Sequence, residues 1–138
     1  MDGEFADCLV LNTVMAARAM TRHYDKVLRP FGISVVQFTV LMVLRGARER
    51  SMNRMAADIA MDRTTLLRNI EVLIRLGLVE ARPVERGYGR DFSLTERGEA
   101  LLREVIPMWR DAQDEIRHRL GVHDRGDFLH ALRALSDR

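Results

Sequence analysis

The chain has 138 residues, 47% of them hydrophobic and 30% charged, which is enough for one domain with a real core and too little for two independent ones. No apolar run approaches the length of a membrane span, and no basic segment followed by an apolar stretch and a small-residue cleavage site opens the sequence, so the expected location is cytoplasmic. A single cysteine, Cys8, excludes an internal disulfide framework.

The net charge of +2 is small, but it is unevenly spread. Basic and acidic residues cancel over residues 1–44, eleven against eight leave +3 over 45–97, and seven against eight leave −1 over 98–138. Of the 22 basic residues all but Lys26 are Arg, whose planar fork suits phosphate and guanine. A biased genomic base composition produces the same preference.

In chain order, residues 5–29 read as a long helix. Phe5, Leu9, Ala16, Met20, Val27 and Leu28 supply its apolar stripe, and Pro30 with Gly32 ends it. Ser34-Val-Val-Gln37 has the spacing of a capping box and opens a second helix that is apolar nearly all round. That helix belongs in the core and stops near Gly46. A third helix starts near Ser51 and buries Met55, Ala56 and Ile59, with Ala56 and Ala60 small enough for another helix to cross closely. A turn at Met61-Asp62 follows, and Asp62 caps the next helix.

In that fourth helix Leu66, Ile70, Leu73 and Ile74 recur on one side, while Arg63, Thr64, Thr65, Arg68, Asn69 and Arg75 lie at its start or on other faces. A helix with Arg, Thr and Asn on its outer side can set donors and acceptors against base edges in a DNA major groove, with its N-terminal dipole near phosphate. The same pattern also fits a solvated helix in any small helical domain. Gly77 supplies the left-handed residue that ends it.

Leu78–Pro83 and Asp91–Thr95 alternate as short strands. Between them Val84-Glu-Arg-Gly-Tyr-Gly-Arg90 makes a turn whose arginines sit on an exposed tip. Arg86 and Arg90 are the candidates there for a minor groove, which draws in Arg when narrow; a solvated loop is the alternative. Thr95 caps a long amphipathic helix running to about residue 120, with Leu101, Leu102, Val105, Trp109, Ala112, Ile116 and Leu120 on its apolar side and Pro107 expected to bend it. Asp124 or Asp127 caps a last helix with Phe128, Leu129, Leu132 and Leu135 on one face. The terminal helices thus carry more apolar surface than a small central lobe covers, and pairing with a second copy would bury it.

The fold class expected is mainly α with a small β-hairpin wing. The order of elements resembles the MarR family of bacterial transcriptional regulators. The residues that carry the likeness are Ala19-Met-Thr-Arg-His-Tyr-Asp25 with Leu28 and Gly32-Ile33, Gln37-Phe38, Met55-Ala-Ala-Asp58, Asp62-Arg-Thr-Thr-Leu66, Leu73-Ile-Arg-Leu-Gly-Leu-Val79 and Leu94-Thr-Glu-Arg-Gly98. Each is weak alone, and their order and spacing together are specific. The resemblance implies a single domain over 1–138, with a winged helix-turn-helix DNA-binding lobe at about 34–97 and dimerisation helices at about 1–30 and 98–138. It implies a homodimer that binds a palindromic double-stranded DNA operator, often as a repressor released by a small aromatic or phenolic effector or by cysteine oxidation.

One departure is visible. Many members carry an Asp-x-Arg pair at the wing, and here that register holds Arg86-Gly-Tyr88. The effector site implied by the resemblance is a cleft between dimerisation helices and lobe. Its candidate walls are Arg18, His23, Met42 and Trp109, with Arg18 holding an aromatic carboxylate. Met42 and Trp109 taken singly read as core packing. Cys8 reads as an inert thiol, because a reactive one needs an exposed, electropositive setting. A Cys8-dependent redox regulator and a winged helix used for protein contact are the alternative functions. His23, His118, His123 and His130 match no compact metal-ligand spacing, no cofactor motif is present, and no nucleophile elbow, phosphate loop or His-Glu-x-x-His points to an enzyme.

Overall fold

The computed structural model describes residues 3, 5–46, 50–121 and 125–136. Its elements in chain order are α1 (Leu9–Leu28), a 3-10 turn (Arg29–Phe31), α2 (Val35–Arg45), α3 (Met52–Asp58), α4 (Arg63–Arg75), β1 (Val79–Pro83), β2 (Arg90–Leu94), α5 (Glu96–Leu120) and α6 (Arg125–Leu135). No single helix among the described residues is long and apolar enough to cross a membrane.

Local hydrogen bonds set most boundaries. Before α2 the Ser34 N–H donates to Gln37 Oε1 at 2.9 Å and the Gln37 N–H donates to Ser34 Oγ at 3.2 Å, so both partners of the capping box satisfy backbone groups that the first turn leaves free. The Val35 N–H donates to Asp25 Oδ1 at 2.7 Å, which ties the end of α1 to the start of α2 across the turn. Gly32, with φ 74°, takes the left-handed conformation that reverses the chain there.

One core joins the elements. Leu28 of α1, Val40 and Leu41 of α2, Leu66, Ile70 and Leu73 of α4, and Leu102 and Val105 of α5 are fully buried in it. Each such aliphatic side chain contributes about 1.5–3 kcal/mol relative to exposure. Trp109 of α5 packs on Phe38 of α2 with ring centroids 5.8 Å apart, so the long helix is stapled to the central lobe by an aromatic pair.

The terminal helices differ from expectation in extent and in burial. α1 begins at Leu9, with Cys8 half-buried at its N-cap position, because residues 5–7 form a turn. Tyr24 and Leu28 are buried, yet Phe5 and Leu9 of the expected stripe are 62% and 77% exposed, since none of the described residues covers them. α6 lays Phe128 and Leu129 toward Met20, Ile116 and Leu120 around a small cavity of about 100 Å³, while Leu135 is 66% exposed. Asp127 falls in the first turn of α6, and Asp124 lies outside the described residues. Pro107 is interior to α5, which continues through it to Leu120.

The junction between α4, the hairpin and α5 is closed by one hydroxyl. Thr95 Oγ1 donates to the Gly77 carbonyl at 2.7 Å and accepts from the Gly98 N–H at 3.1 Å. The Thr95 N–H donates to the Leu78 carbonyl at 3.0 Å. Gly77, at φ 73°, ends α4 in a Schellman motif, its N–H donating to the Ile74 carbonyl and the Leu78 N–H to the Leu73 carbonyl, both at 2.9 Å. The strands then pair antiparallel with Val79 opposite Leu94 and Pro83 opposite Arg90. Gly98 is buried, and a Cβ placed on it would stand 2.2 Å from the Leu78 carbonyl oxygen. The spacing Leu-Thr-Glu-Arg-Gly thus serves to seat α5 against the strand that leaves α4.

Gly98→Ala should therefore force β1 and α5 apart and lower stability by about 3 kcal/mol or more. Thr95→Val, which keeps the shape and loses the cap, should cost about 1–2 kcal/mol. Urea denaturation of the two variants checks both the size and the order.

Candidate nucleic-acid interface

The turn from α3 into α4 is built from two backbone devices in succession. α3 ends in a Schellman motif, with the Ala60 N–H donating to the Ala57 carbonyl at 3.1 Å and the Met61 N–H to the Ala56 carbonyl at 2.9 Å. Ala60 occupies the left-handed position with φ 51°, where glycine is the unstrained residue. This corrects the expectation that Ala60 lets a second helix cross closely, because it is exposed and outside the helix. Ala56 is buried as expected.

Asp62 then caps α4. Its Oδ1 accepts from the Thr65 N–H at 2.8 Å and its Oδ2 accepts from the Thr65 hydroxyl at 2.7 Å. The Thr65 hydroxyl, followed by the Thr65 backbone N–H, holds the Asp62 carboxyl below its ordinary value. A carboxylate therefore already occupies the positive end of this helix, the place the sequence had suggested for phosphate.

The six candidate residues on α4 separate into two groups. Thr64, Arg68 and Arg75 share one face with Glu71, at the spacing i, i+4, i+7, i+11. Arg63 stands beside that face at the first helical position. Arg63, Thr64, Arg68 and Arg75 are exposed and make no ion pair or side-chain hydrogen bond among the described residues. Thr65 and Asn69 are turned inward by comparison. The Thr65 hydroxyl serves the cap, and Asn69 Nδ2 donates to the Thr65 carbonyl at 2.9 Å. With a rise of 1.5 Å per residue, Arg63 and Arg75 lie roughly 18 Å apart along the axis. The N-terminal half is thus the part that a groove about 12 Å wide would admit.

At the wing the structure keeps one candidate arginine on the tip and removes the other. Arg86 is exposed in the loop between the strands, where Gly87 and Gly89 take positive φ. Arg90 is the first residue of β2, paired with Pro83, and not part of the tip. Its Nη2 donates to Glu71 Oε1 at 2.9 Å, and its guanidinium carbon lies 5.3 Å from the Phe92 ring centroid. Two residues here were not among the candidates. Glu71 could have been found as the single acid in Arg63–Arg75 on the stripe of Arg68. Tyr88, fully exposed between two glycines, was visible as the departure in the wing.

The four candidate effector walls do not converge. A cavity of about 510 Å³ between α1, α5 and α6 is lined by Met20, Arg22, His23, Ile116, Arg119 and Phe128, among others, and by none of Arg18, Met42 and Trp109. Arg18 is exposed on α1, whereas Met42 and Trp109 pack against the central core. The His23 Nε2 atom is buried and stands 3.4 Å from Glu115 Oε2 without hydrogen-bond geometry. Among the described residues no three ligating side chains gather into a metal site. His118 Nδ1 lies 2.7 Å from the Asp114 carbonyl, His130 is exposed, and His123 is outside the described residues.

No protein-family model matches the chain, and no curated protein does. Among solved structures it is similar to the M. tuberculosis transcriptional regulator MosR, with 34% identity over 96% of each chain and a TM-score of 0.81. MosR has also been solved in complex with DNA. The transcriptional repressor CouR superposes with a TM-score of 0.84 at 20% identity, covering 99% of this chain and 97% of its own. A mutant of E. coli MarR in complex with operator DNA gives 0.80 at 24% identity, covering 95% and 96%. The last two are likenesses of fold.

Substitutions at two positions probe the turn. Ala60→Gly should raise stability by about 1 kcal/mol, because the left-handed position no longer carries a Cβ, as measured by urea denaturation. Asp62→Ala should lower the melting temperature and Asp62→Asn should largely preserve it. Since the folded carboxyl titrates below its unfolded value, the advantage of wild type over Asp62→Ala should be full above the ordinary carboxylate range and fade as pH falls through the lowered folded value. Melting curves recorded from neutral to acid pH check this.

Proposed function

Since the chain belongs to the MarR family of winged helix-turn-helix transcriptional regulators, which are not enzymes, we propose that it binds a two-fold symmetric DNA operator as a homodimer and represses transcription there. The observation that carries this reading is the face of α4 with Thr64, Arg68 and Arg75, unpaired among the described residues, with its capped N-terminal end exposed. A residue such as Arg68 on that face can fork onto the O6 and N7 of a guanine, a contact that distinguishes one base pair from the others. Similarity to MosR, whose structure with DNA covers 94% of this chain, supports the same assignment.

The homodimer is supported by the surface that the single chain leaves bare. Phe5, Leu9, Val10 and Met15 at the start and Leu120, Leu132 and Leu135 near the end are at least 36% exposed, and burying large apolar side chains like these is the main driving force for association. A symmetric contact through these helices presents α4 twice. Half-sites would then lie about one DNA turn apart, roughly 34 Å. Repression follows from occupancy, since a dimer seated on its operator excludes polymerase from overlapping sequence.

Selection of bound DNA from a random pool should return a two-fold symmetric motif, and affinity for it should fall steeply with salt as condensed counterions are released. Arg68→Ala should weaken that binding roughly ten- to hundredfold. Binding that ignores salt, or that requires another protein in place of DNA, would point to a winged helix used for protein contact.

A further inference from the structure

Glu71 is the one acidic residue in α4, and it sits in the middle of the face proposed to meet DNA. A bare carboxylate there would repel phosphate. Arg68 lies one turn before it and Arg75 one turn after, both within reach of an ion pair along the helix. The carboxylate is turned to neither. It is held instead by Arg90 at 2.9 Å, across from the wing and 19 residues on in sequence. Arg90 is fixed from a second side by the ring of Phe92, itself half-buried against the core.

From this geometry, and resting on the DNA-binding reading above, we propose that Glu71 and Arg90 are positioning residues. Arg90 acts by neutralising Glu71 and joining the wing to the recognition helix, and does not act by contacting DNA. The pair bridges α4 and β2 and masks the acid within the face that meets phosphate, while the Thr95 corner sets the spacing between helix and wing. It also leaves the guanidinium groups of Arg68 and Arg75 free. Half-exposed on both sides, the pair adds little to stability, so its variants fold.

The test is a double-mutant cycle on wild type, Glu71→Gln, Arg90→Gln and the doubly substituted protein, each checked by circular dichroism and titrated against selected and random DNA at several salt concentrations. Arg90→Gln should lose about tenfold in operator affinity, because it uncovers a carboxylate. Adding Glu71→Gln should restore most of that loss. Glu71→Gln alone should tighten binding to random DNA and steepen the salt dependence by about one phosphate contact, near 0.9 in log–log slope, as the released Arg90 finds a phosphate. A doubly substituted protein as weak as Arg90→Gln would overturn the proposal, since Arg90 would then be touching DNA itself. A wild-type protein that shows no salt-dependent binding would instead overturn the DNA-binding reading.

Discussion

The bond on which the rest of this structure depends is made by the Thr95 hydroxyl, which donates to the Gly77 carbonyl and accepts from the Gly98 N–H. Three elements meet at that atom: the end of α4, the return of the hairpin and the first turn of α5. With the Cβ-free Gly98 pressed on the Leu78 carbonyl, the junction fixes the direction in which the hairpin leaves α4. The wing can stand beside the recognition helix only because this corner is rigid. The long α5 takes its own direction from the same corner and is then held by Trp109 on Phe38.

The interface follows from how polar groups are spent on either side of that corner. Asp62 takes up the Thr65 hydroxyl and N–H, Asn69 takes up the Thr65 carbonyl, and Glu71 takes up Arg90. Each pairing satisfies a polar group within the protein. What stays unpaired among the described residues is a row of Arg and Thr on one face. The hydroxyl of Thr65 and the amide of Asn69 are thus engaged within the helix and its cap.

Much of the fold was legible in the sequence. The capping box at Ser34, the caps at Asp62 and Thr95 and the left-handed Gly77 are signalled by residues within a few positions of one another, because the hydrogen bonds that enforce them span three to five residues, and the two strands are signalled by their alternation. The apolar spacing of Leu66, Ile70 and Leu73 likewise named the buried side of α4. Less legible was the extent of α1, whose first half carries apolar residues with no partner among the described residues, so periodicity alone could not say that Phe5 and Leu9 would lie exposed. Ala60 was misread because alanine favours helix interiors, and only the closing bonds from Ala60 and Met61 place it beyond the end of α3.

The candidate site divides along the same line. Its helix, its face and the acid that caps it were determined by the sequence itself, since these depend on local geometry and helical period. Tertiary structure alone decided that Arg90 serves Glu71 and not the tip of the wing, and that Arg18, His23, Met42 and Trp109 line no common cavity. Those outcomes depend on which surfaces face one another across the folded chain, and no spacing along it encodes that distance.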